Sequence, residues 1–127
     1  MATFNPLPPI SLDAAADYRT TGQFRFVDVD SNGRAVKVAT AGAYGIGILM
    51  NNPNQYEAAE VAYAGVAKVV VGSGGVTAGN VLQSDANGAA IAASDEDYCL
   101  AKALETGAAG SIISVLLISK NIRNDAA

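Results

Sequence analysis

Phe24-Arg25-Phe26-Val27-Asp28-Val29-Asp30-Ser31-Asn32-Gly33-Arg34-Ala35-Val36-Lys37-Val38-Ala39 reads as two short strands folded about a tight turn. Phe24 and Phe26 fall on one side of a two-residue period, with Arg25 and Asp28 off it. Asn32-Gly33 supplies the positive-φ positions that a tight hairpin requires. Ala35 to Ala39 then returns as the second strand.

The same signal recurs about 55 residues further on. Asp30-Ser31-Asn32-Gly33-Arg34-Ala35-Val36 aligns with Asp85-Ala86-Asn87-Gly88-Ala89-Ala90-Ile91, so Asn87 and Gly88 stand where Asn32 and Gly33 do. Tyr44-Gly45-Ile46-Gly47-Ile48-Leu49 is followed at a similar interval by Tyr98-Cys99-Leu100-Ala101-Lys102-Ala103-Leu104. Two copies fall short of the three or more repeats that a solenoid needs. The reading is pseudo-symmetry inside one β domain, the alternative being a chance resemblance of two hairpin turns.

Outward from these hairpins, strands are predicted at Tyr44–Met50, 80–83, 89–92, 98–104 and 111–119. Glu60 to Val71 supplies one long strand or two short ones, with Gly65 as a bulge or bend. Strands at roughly 8–12-residue spacing define an all-β domain, a compact barrel or sandwich of short antiparallel strands. Ser111 to Ile118 is apolar on both faces, which fits a central strand or an interface strand, the central one being preferred.

Residues 1–22 have a different character. Three of the four prolines are Pro6, Pro8 and Pro9, within Phe4-Asn5-Pro6-Leu7-Pro8-Pro9-Ile10. Proline fixes φ and pushes its predecessor toward extended geometry. The segment is read as an extended N-terminal arm ahead of a single domain over residues 23–127, the alternative being a disordered terminus. Ten extended residues reach about 33 Å, against a radius of gyration of roughly 14 Å for a body of this size. The arm, with Phe4, Pro6, Leu7, Pro8, Pro9 and Ile10, is therefore expected to contact a neighbouring subunit. Ser11 to Arg19 is expected to include a short helical turn capped by Ser11.

Composition narrows function by exclusion. The chain has 127 residues, no His, no Trp and one Cys, with 8 basic and 12 acidic side chains. A Ser-His-Asp triad, a Cys-His dyad and a His-ligated zinc are ruled out. The net charge of −4 argues against nucleic acid, which needs clustered cations. No aliphatic run is long enough to span a membrane as a helix, and no secretory signal is visible. Cys99 reads as a buried small hydrophobe on a strand, flanked by the acidic Asp95-Glu96-Asp97 that would not activate a thiol.

Three motifs imitate chemistry. Asp28-Val29-Asp30-Ser31-Asn32-Gly33 matches the opening of an EF-hand loop, but the twelfth position, which should be a bidentate Glu, is Ala39, and the flanks are strands. Gly72-Ser73-Gly74-Gly75 and Gly42 to Gly47 lack the helix and the Lys of a phosphate cradle. Asp95-Glu96-Asp97 is read as a solvated acidic turn. The expectation is no enzyme, no cofactor and no metal.

Thr77-Ala78-Gly79-Asn80-Val81-Leu82-Gln83-Ser84-Asp85-Ala86-Asn87-Gly88-Ala89-Ala90 resembles the A-G-(D/N)-x-V-x-(S/T)-D-x-x-G-x-A segment of small phage capsid cement, or head decoration, proteins. Tyr98 to Glu105 and Gly107 to Leu117 resemble that family's ending, G-x-A-L-E-x-x-x-x-G-x-x-(I/V)-x-V-x-L, although Cys99-Leu100-Ala101 stands where the family often has a glycine. The likeness spans roughly residues 23–119. It implies a β-rich subunit that pairs with itself as a homotrimer on the outer surface of an icosahedral head, clamping adjacent major capsid proteins after the shell expands. Synthesis in the host cytoplasm is expected. The rival reading is a trimeric phage attachment or fibre-base module that binds host glycan, for which Tyr18, Tyr44, Tyr56, Tyr63 and Tyr98 are candidates.

Overall fold

The Asp30–Gly33 turn is held by its own first side chain. Asp30 Oδ1 accepts the amides of Asn32 and Arg34, each at 2.9 Å, and Gly33 sits at φ 75°. Asp85 repeats the arrangement, its Oδ1 accepting from Asn87 at 2.8 Å and Ala89 at 2.9 Å, with Gly88 at φ 78°. Both glycines occupy left-handed backbone that other residues adopt only with strain. A computed structural model describes residues 9–94 and 97–123, the last five by their backbone alone.

Ten strands form among the described residues, and no helix. They are β1 (Ile10–Asp13), β2 (Phe26–Val29), β3 (Ala35–Lys37), β4 (Gly47–Leu49), β5 (Ala58–Ala62), β6 (Gly65–Val70), β7 (Val81–Ser84), β8 (Ala90–Ala92), β9 (Tyr98–Ala103) and β10 (Ile112–Arg123). They make two five-stranded antiparallel sheets, ordered β1-β5-β4-β2-β3 and β6-β10-β9-β7-β8. Five positions added to each number of the first order give the second. The all-β expectation is met as two sandwich-like sheets, and neither closes into a barrel.

The internal echo is therefore a duplication of topology. Two isolated parallel bridges confirm it, Ala14 with Ala35 in the first half and Val71 with Ala90 in the second. Each half brings the residue after its first strand against the start of its third. Gly65, at φ 80°, breaks the predicted 60–71 stretch into β5 and β6 and so marks the joint between halves.

Each sheet has its own core. In the first half Val27, Leu49, Ala59 and Val61 pack with Ala14 and Tyr18. In the second, Leu82, Ala101, Val115 and Ile113 occupy the corresponding strands. The opposite face of the first sheet, carrying Phe26 and Ile48, packs into the core of the second half, and both side chains are 0% exposed. Full burial of residues of this size stabilises by about 1.5–3 kcal/mol each.

Three details differ from expectation. Residues 11–19 contain no helical turn: Ser11, Leu12 and Asp13 are in β1, whose Ile10 pairs with Val61, and Ala14 and Tyr18 are buried. From Ile10 onward the chain thus belongs to the first sheet, while Phe4, Pro6, Leu7 and Pro8 lie outside the described residues. Phe24 is not in a strand. It sits at φ 62°, its N–H donating to the Leu49 carbonyl at 2.7 Å and its own carbonyl accepting from Val70 at 2.8 Å. One strained residue thereby ties both sheets together. Finally, β10 is an interior strand between β6 and β9, but the middle place belongs to β9.

Candidate functional site

The duplicated sheets expose one face very differently. In the first, β2, β4 and β5 align Phe26, Ile48 and Ala62 in a row across the sheet. In the second, β7, β9 and β10 align Val81, Lys102 and Leu116, and the row continues to Val66 on β6. These are the same three strand positions, about 55 residues apart. The first row is covered by the second half of the chain. Val81 is 41% exposed, Leu116 44% and Val66 51%.

Ile112 and Leu104 flank this row and are also exposed, Leu104 donating its amide to Ser114 at 3.0 Å. Lys68, opposite Ser114, and Lys102 bring positive charge to the same face. The one ion pair among the described residues is Asp17–Arg19, so neither lysine has an acidic partner there. A contiguous apolar surface of this kind, edged by polar groups, marks a binding face. Ser111 to Ile118 being apolar on both sides, the feature noted in the sequence, has this cause: Ile113, Val115 and Leu117 enter the core, while Ile112 and Leu116 point out. The pairing of Phe26 with Val81 and of Ile48 with Lys102 was the available signal, and it needed the duplicated strands to be aligned first.

The turn residues Asn32 and Gly33 form an exposed tip, and nothing lies within 4 Å of where a Gly33 Cβ would be. Asn87 and Gly88 form the matching tip of the second half, which is seated. Arg25 Nη1 donates to the Asn87 carbonyl at 3.0 Å. The Phe26 amide donates to the Gly88 carbonyl at 2.8 Å. A Cβ on Gly88 would meet Lys37 Cγ at 3.0 Å and Arg25 Cβ at 3.1 Å. Of the arm residues, Pro9 and Ile10 are described and exposed.

The five tyrosines do not gather. Tyr44 and Tyr98 meet edge to face with ring centroids 5.5 Å apart, beside a shallow depression of about 250 Å³ lined by Asp28, Lys37, Thr40 and Tyr44. Tyr56 instead lies under the Arg34 guanidinium at 4.7 Å. Tyr18 is buried and its hydroxyl accepts the Lys37 amide at 2.9 Å. Tyr63 stands apart at 36% exposure.

The chemical decoys resolve into structure. The EF-hand-like stretch is the β2–β3 hairpin, and Asp30 spends its carboxylate on turn amides. Gly72 to Gly75 is a turn, with Gly74 and Gly75 at positive φ. Asp95 and Glu96 lie outside the described residues. Cys99 is buried, and that burial pushes its thiol pKa up. Burial likewise lowers the pKa of Lys37, with Arg25 adding to the effect and Asp85 opposing it. No group of three or more His, Cys, Asp or Glu side chains suited to a metal ion occurs among the described residues.

The architecture defines a class: a duplicated all-β protein whose binding capacity lies in broad faces and turn tips. Among solved structures, the chain is similar in fold to the N base of the head fiber protein gp8.5 of bacteriophage phi29. The TM-score is 0.69 at 14% sequence identity, over 90% of this chain and 98% of that one. No family model and no curated protein matches the sequence.

Proposed function

We propose that this chain is a structural protein of a phage virion, mounted as a homotrimer on the outer surface of the head. There it clamps adjacent major capsid proteins and stabilises the expanded shell. The observation that carries this reading is the fold shared with a phage head fiber base over nearly the whole of both chains. The bare face of the second sheet and the low charge add to it, since a clamp works by surface fit. Binding to the mature lattice and not to free shell protein stabilises the shell by linkage, and three linked copies raise the effective affinity. The exposed start of β1 at Pro9 and Ile10 favours an arm leading to a neighbour.

The test uses heads that lack the protein. Purified protein is added to expanded and unexpanded heads, and occupancy is read by electron microscopy alongside survival of the particles on heating. Saturable decoration of expanded heads with a higher disruption temperature is expected. Absence from virions, or equal binding to both head forms, overturns the reading.

A second reading is favoured by the fibre-base likeness and by the Tyr44–Tyr98 pair at an open depression. In it the chain is an attachment or fibre-base module that binds host glycan. Decoration without any gain in particle stability, together with glycan binding lost in Tyr44→Ala, would favour it over the clamp.

A further inference from the structure

We infer that the outer face of the second sheet is a self-assembly face, covered in the trimer by the first-half hairpin tip of the next copy. This rests on the homotrimer reading above and names the surfaces that build it. The chain itself supplies the template. Within one copy, the Asp85–Ala89 hairpin of the second half sits at the start of β2, and the second half buries the Phe26–Ile48 row. The relation is one-way. Gly88 is buried in that contact, whereas Gly33, its counterpart, has open space around it. Phe26 is fully buried, whereas Val81, its counterpart, is 41% exposed.

A contact of tip on back, used once between two similar halves, leaves one tip and one back unused. The unused tip is on the first half and the unused back is on the second. These are the two complementary surfaces of a head-to-tail interface, which closes into a ring when the rotation permits. Three chains then present six halves joined by one kind of contact. The charges run the same way at both places. Inside the chain, the turn of Asp85 approaches Arg25 and Lys37. At the free end, the turn of Asp30 would approach a face holding Lys68 and Lys102.

Two single substitutions at exposed sites test this without touching either core: Leu116→Arg on the back and Ser31→Trp on the tip. Native mass spectrometry and light scattering at about 50 µM, a concentration suited to micromolar contacts, read the assembly, and circular dichroism reads the fold. The expected result is a trimer for the unaltered protein and a one-chain mass with an unchanged β spectrum for each variant. An assembly of another closed number, lost in both variants, supports the contact while refuting the trimer. A trimer that survives either substitution overturns the inference and leaves the trimer reading standing. A single chain in solution whose Leu116→Arg variant no longer decorates heads overturns it too, because the face would then belong to the capsid protein.

Discussion

Asp17 and Arg19 show what a surface pair contributes at the level of one residue. Arg19 Nε and Nη2 reach the two carboxylate oxygens at 3.0 and 2.8 Å, and the Arg19 amide adds a third bond at 3.1 Å. Those side-chain bonds, ahead of the amide, hold the Asp17 pKa at about 2, below its ordinary 3.8. The folded value lies under the unfolded one. The pair's contribution is therefore present above 3.8 and is lost as pH falls through about 2. Both side chains face solvent, so screening keeps that contribution small. A carbon-detected titration is expected to give Asp17 a midpoint of about 2, returning toward 3.8 in Arg19→Ala, with no change in melting temperature at neutral pH. A midpoint near the ordinary value in the unaltered protein would mean that the pair does not form in solution.

The strands set tighter conditions than the turns. A Cβ on Gly47 would run into the backbone carbonyl of Ala62, and Val61 Cγ1 would lie at 3.0 Å. A backbone atom in a sheet cannot move aside as the end of a flexible side chain does. Gly47→Ala is expected to part β4 from β5 and to cost about 1–3 kcal/mol, read as a lower urea midpoint. An unchanged midpoint would show that the two strands have slack. The matching position in the second sheet is Ala101, opposite Leu82 as Gly47 is opposite Val27, so the tightness belongs to the first half alone. Most strands were legible, because Asp-x-Asn-Gly turns and Gly65 punctuate them and alternation runs between. Residues 11–19 were not. Their alanines and capping serine favour a helix locally, yet Leu12, Ala14 and Tyr18 are drawn into the first core, and tertiary packing overrides propensity. Phe24 was misread for a similar reason: its alternation suits a strand, but its two backbone bonds to different sheets demand a left-handed corner. The binding face was half legible, since the two-sided apolar character of 111–118 is plain while its partner strands are known only from the register.

At the scale of the whole molecule, the halves share a plan but not their independence. Removing the second half would strip the cover from Phe26, Ile48 and Val38, which contribute to its core. Residues 1–63 alone are expected to aggregate or to show no cooperative melting transition. A soluble, well-dispersed NMR spectrum from that fragment would show that the joint is dispensable. The chain's one thiol has a practical consequence. Cys99 is buried among strands with its pKa raised, so in the native protein it is a poor nucleophile. A cysteine placed on the exposed Gly72–Gly75 turn, as in Ser73→Cys, would accept a maleimide dye far faster than the native thiol. Fluorescence energy transfer between copies could then be followed as they gather, on a scaffold that needs no other cysteine removed.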